Sequence, residues 1–129
     1  MAAKKPGKRK VPARKHKGYA SPAWERVYLL SLELDAIAQE LGLHKKRRDP
    51  DGFDLADAAK ELGRLAQNHN QDENPVARTA EQDREDWIAV GGIGADVGNM
   101  ADEGAVGAAA DTVRAIAHET CYLACDYLF

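Results

Sequence analysis

In the last quarter of the chain, Val106, Ala109, Val113, Ile116, Thr120, Leu123 and Tyr127 recur at alternating steps of three and four. A helix of 3.6 residues per turn brings such positions onto one face. Similar spacing links Val27, Leu30, Leu34, Ile37 and Leu41, then Leu55, Ala58, Ala59, Leu62, Leu65 and Ala66, then Trp87, Val90, Ile93, Val97 and Met100. No segment alternates with the period of two that a half-buried strand needs. The expected fold class is therefore all-α, a four-helix bundle with helices over about 22–41, 54–68, 80–101 and 103–128. Alanine, at 23 residues, dominates a composition poor in β-branched and aromatic side chains, which favours helix over sheet.

Local signals mark the boundaries. Ser21-Pro22 is an N-cap followed by proline at the first helical position, and Gly42 is a stop. Thr79 with Gln82 three residues on has the form of a capping box. The stretch NHNQDENPVAR is a polar turn region. In the first helix, Tyr28, Leu29 and Leu32 lie off the main stripe. That helix is expected either at the centre of a bundle or against a partner subunit.

The net charge of −3 conceals a polarity along the chain. Residues 1–18 carry eight Lys or Arg and no acid, while residues 19–129 carry ten bases against all 21 acids. The leader holds two prolines and two glycines among its lysines and too few apolar side chains to offset chain entropy. It reads as a disordered basic arm on a single acidic all-α domain spanning 19–129. Lys4, Lys5, Lys8, Arg9, Lys10, Arg14, Lys15 and Lys17 are the expected contacts to the phosphate backbone of DNA or RNA, or to another polyanion. Lys45, Lys46, Arg47 and Arg48, in the connector HKKRRDPDG, extend that track if they lie on the same side. The arm has no aromatic residue before Tyr19, so base-specific reading is not expected. An alternative reading makes the protein an assembly or structural subunit, with the arm a docking strap for an acidic protein.

Residues 90–101 read VGGIGADVGNMA. Gly92, Gly94 and Gly98 loosely match a dinucleotide-binding loop, but that loop requires a strand before it and a βαβ unit around it. On a helix, Gly91, Gly94 and Gly98 instead share one line, which predicts close approach by another helix, with alanine-rich segments such as VGAAA (106–110) in the last helix as natural partners. Gly92 points elsewhere and has no role in this reading.

Three further clusters carry possible chemistry. His118, Cys121 and Cys125 share one side of the last helix and are sound zinc ligand types, although a fourth ligand must come from elsewhere. The simpler reading makes the cysteines small packing residues. Tyr122 and Phe129 lie opposite the main stripe of that helix and are expected at a subunit interface, giving a homo-oligomer. Finally, Asp54-x-x-Asp57 with Glu61, and Asp96-x-x-Asn99, stand where all-α nucleoside-triphosphate pyrophosphohydrolases carry inward-facing Glu-x-x-Glu and Glu-x-x-Asp pairs for magnesium. The helical layout is similar to that family, and the likeness implies such an enzyme as a second alternative. The residue types depart from its pattern, and helical wheels turn Asp57 and Asp96 outward.

The leading expectation is thus a non-enzymatic helical protein without catalytic residues, metal or cofactor. No apolar run reaches the roughly 18 residues of a membrane span. Two cysteines make no disulfide framework and point to a reducing compartment, the cytoplasm.

Overall fold

Ser21 opens the first helix as the sequence predicts: its hydroxyl accepts a hydrogen bond from the Trp24 amide at 3.3 Å, and Pro22 takes the first helical position. The computed structural model describes residues 18–43 and 52–129. Its helices are α1 (Pro22–Glu40), α2 (Leu55–Gln67), α3 (Ala80–Asp102) and α4 (Ala110–Leu128). One turn of 3-10 helix, Gly107–Ala109, precedes α4. Among the described residues there is no strand, only an isolated antiparallel bridge between Tyr19 and Asn70. The protein is all-α.

Capping chemistry sets two further boundaries. Asp54 and Asp57 form a reciprocal capping box at the start of α2, and Thr79 and Gln82 form another at the start of α3. Gly42, at φ +76°, turns the chain out of α1.

The break between α3 and α4 corrects the expected start of the last helix at 103. Gly104 adopts φ +80°, its amide donates to the Ala101 carbonyl, and the Ala105 amide donates to the Met100 carbonyl. That pairing is a Schellman stop. Gly107, at φ +56°, delays re-entry, so α4 begins at Ala110. Val106 is buried, but from the turn and not from the helix.

α1 packs chiefly on α2 and α3 chiefly on α4, and the two hairpins meet through narrower α2–α3 and α1–α4 contacts. The core joins Trp24, Val27, Leu30 and Leu34 of α1 to Leu55, Leu62 and Leu65 of α2. Trp87, Val90 and Val97 of α3 and Val113 and Ile116 of α4 complete it. Off the α1 stripe, Tyr28 and Leu29 are half-buried and Leu32 is exposed, so α1 is not surrounded by protein.

The glycine line packs against the last helix as expected, but on its middle and not on VGAAA. A Cβ on Gly94 would stand 2.8 Å from Cys121 Sγ and 3.3 Å from the Cys121 backbone nitrogen. A Cβ on Gly91 would meet Ala124, and one on Gly98 would meet Ala117. The neighbour is therefore the middle of α4 and not VGAAA, because the chain is still turning at 106–109. No phosphate-binding loop is formed, since residues 90–101 lie wholly within α3.

Candidate functional site

The basic residues Lys4, Lys5, Lys8, Arg9, Lys10, Arg14, Lys15, Lys17, Lys45, Lys46, Arg47 and Arg48 lie outside the described residues. Their attachment points are described. At the root of the leader, the Ala20 amide donates to the His69 carbonyl at 2.8 Å and the Gln71 amide donates to the Gly18 carbonyl at 2.7 Å. Gly18 has φ +88°, and a Cβ there would stand 2.7 Å from both Asn70 Oδ1 and Asp72 Oδ2. Tyr19 packs on Tyr28 and accepts a hydrogen bond from Gln67 Nε2. Burial pushes its phenol up to about 12. The leader therefore leaves the body from a clamped root beside the end of α2.

The second basic run joins the body after Leu43, beyond the other end of α1. With 19 residues at about 1.5 Å each, α1 spans roughly 28 Å between the two attachment points. The roots of the two runs therefore stand toward opposite ends of α1.

The body between them is anionic. The described residues hold Arg26, Lys60, Arg64, Arg78, Arg84 and Arg114 against every acid of the chain except Asp49 and Asp51. Four of these bases are already paired. Arg26 Nη2 donates to Glu119 Oε1 at 2.7 Å, which raises the guanidinium and holds the Glu119 carboxyl below its ordinary range. Arg64 pairs with Glu61, Arg78 with Asp86, and Arg114 with both Asp102 and Asp111.

A buried polar cluster went unnoticed at the level of sequence. His69, whose side chain is 3% exposed, directs Nε2 to Asp86 Oδ2 at 2.8 Å and Nδ1 toward Asp83 Oδ1 at 3.5 Å. Arg78 donates through Nη2 to both Asp86 oxygens, at 3.2 and 3.0 Å. Trp24 Nε1 donates to Asp83 Oδ1 at 3.1 Å. The rings form a ladder, with His69 on Trp24 at 3.9 Å, Trp24 on Trp87 at 3.9 Å, and Trp87 on Tyr127 at 4.8 Å. Two hollows of about 130 and 260 Å3 adjoin the cluster and share Asn68, Asn74 and Arg78 in their walls. No Ser, Thr or Cys lines either, and both His69 nitrogens face carboxylates. The arrangement braces the α2–α3 junction, with no hydroxyl or thiol in the walls of either hollow.

A wheel of α3 contained the missed signal, because Asp83 and Asp86 fall on the same arc as Trp87 and Val90. A carboxylate on a buried arc requires a donor, and His69 and Arg78 both precede α3 in sequence.

The remaining candidates separate. Asp54 and Asp57 are engaged in their capping box, while Asp96 is exposed on α3, so these acids do not converge. His118, Cys121, Tyr122 and Cys125 line a shallow hollow of about 210 Å3 on the outer side of α4. Burial, with the neighbouring Cys125, pushes the Cys121 thiol up. Among the described residues, no three His, Cys, Asp or Glu side chains are grouped to hold a metal ion. Tyr122 and Phe129 are exposed, by 71% and 99%. No described helix is long and apolar enough to cross a membrane. No protein-family model, curated protein or solved structure matches this chain.

Proposed function

We propose that this protein is a small non-enzymatic binder whose basic leader grips the backbone of DNA or RNA, or another polyanion, without reading bases. The carrying observation is the division of charge: eight bases and no acid in residues 1–18, against a helical body rich in carboxylates. Cations along a chain neutralise phosphates and release condensed counterions whatever the base sequence. The body offers a polyanion little, because Arg26, Arg64, Arg78 and Arg114 are committed to carboxylates. Contact is thus assigned to the leader, with Lys45, Lys46, Arg47 and Arg48, which follow α1 in sequence, as an adjunct that does not hold a polyanion without it. Self-association joins several weak leaders into one stronger grip. The reading assigns the protein to the cytoplasm, where the free thiols of Cys121 and Cys125 stay reduced.

The test is fluorescence anisotropy with labelled mixed-sequence duplex DNA and RNA, using the full chain and a chain lacking residues 1–17. That truncation keeps the Gly18 clamp. Binding is expected to vanish with the leader while helicity by circular dichroism is unchanged. A truncated chain that binds equally well, or a full chain that ignores both polymers in dilute salt, overturns the reading.

A further inference from the structure

α4 carries a second stripe opposite its core face. Ala115, His118, Tyr122, Cys125 and Phe129 follow steps of three and four, the spacing of a coiled-coil seam, and all five are exposed. α3 presents a matching outward row of Ile88, Gly92, Ala95 and Asn99, also exposed. Gly91 faces Ala124 and Gly98 faces Ala117, so α3 and α4 run antiparallel, with the two rows side by side and Gly92 about level with Tyr122. From Ala115 to Phe129 and from Ile88 to Asn99 neither row contains an Asp, Glu, Lys or Arg, and the α4 stripe meets its first charge one step earlier, at the exposed Asp111. Gly92, alone among the α3 glycines, has nothing within 4 Å of where a Cβ would stand, so packing inside the protomer does not account for it.

We propose that this outer α3–α4 face binds a second copy of the chain, α4 against α4 and antiparallel, with Phe129 of each copy seated in the hollow of the other. The hollow, about 210 Å3, is lined by His118, Cys121, Tyr122 and Cys125. Its centre and Phe129 are each about four residues, or roughly 6 Å, from Cys125 along the helix. A twofold axis through Cys125 therefore fills both hollows at once, which is the self-complementarity an isologous contact requires. Gly92 and Ala95 leave room beside this seam for the Tyr122 rings. The choice of occupant follows from charge: an uncharged row holds neither the basic leader nor a phosphate backbone, whereas a copy of itself matches it in polarity, spacing and shape. This inference rests on the self-association in the reading above and not on the leader's grip.

Sedimentation velocity of the full chain in reducing buffer, up to about 100 µM, tests it together with Tyr122→Glu and Gly92→Glu. The unmodified chain is expected to dimerise with concentration. Each variant is expected to weaken the dimer roughly 30-fold or more with helicity unchanged, since both positions are exposed within the protomer. Diamide, which takes up the two electrons and two protons released as two thiols join, should yield a disulfide-linked dimer. That product should be lost in Cys125→Ser and kept in Cys121→Ser. A chain monomeric throughout, a dimer indifferent to both variants, or cross-linking that survives Cys125→Ser overturns the proposal. Nucleic-acid binding by the monomeric Tyr122→Glu chain is scored separately. An unmodified chain that binds nucleic acid but stays monomeric sinks only this face, and one that dimerises but does not bind sinks only the leader.

Discussion

Asp86 accepts from Arg78 and faces His69 in a setting where its own side chain is 10% exposed. Asp86→Ala leaves a guanidinium and an imidazole without their acceptor near the core, so chemical denaturation should show a loss of about 2–4 kcal/mol. Asp96→Ala, on the exposed side of the same helix, should stay within about 0.5 kcal/mol. Tyr19 makes a second prediction at this scale. Its phenol lies at about 12 in the fold against 10.0 when unperturbed, because burial disfavours the phenolate. A raised folded value means that the folded state holds its proton longer. The contribution to stability is complete below pH 10 and is lost as pH rises toward about 12. Tyr19→Phe should flatten the stability curve across that window, as read by urea midpoints at successive pH values.

At the scale of elements, the four glycines of α3 are not equivalent. Gly94→Ala forces a methyl against Cys121 and must move one helix, so it should destabilise by about 1–3 kcal/mol despite the helix preference of alanine. Gly98→Ala places its methyl 3.7 Å from Ala117, an ordinary contact, and should stabilise by about 0.5–1 kcal/mol. Thermal melts of the pair check both signs. The helices, the glycine seam and the caps at Ser21 and Thr79 were legible from spacing and residue type, because each is decided within one or two turns. The start of α4 was not. The apolar rhythm runs through Val106 and Ala109 into α4 and masks the left-handed turns at Gly104 and Gly107. Trp24 extends the α1 stripe by one turn, yet its stacking between His69 and Trp87 depends on three elements meeting. The same is true of the His69–Asp86–Arg78 cluster, whose members come from two helical ends and a loop. Pairing across such distances has no local signature beyond an acid on a buried arc.

At the scale of the molecule, charge is segregated by position. The acidic body disfavours a polyanion along its flank, and the cationic runs attach beyond opposite ends of α1. Long-range attraction of this kind speeds encounter and weakens as salt shortens the screening length. The most direct measurement is the affinity of the full chain for mixed-sequence duplex DNA across a salt series. If the leader does the gripping, log affinity should fall linearly with log salt, with a slope of about 0.9 per phosphate contacted and a ceiling near 7 for eight cations. Removing residues 1–17 should take the slope to near zero. A flat response from the full chain, or an undiminished slope after truncation, contradicts the account.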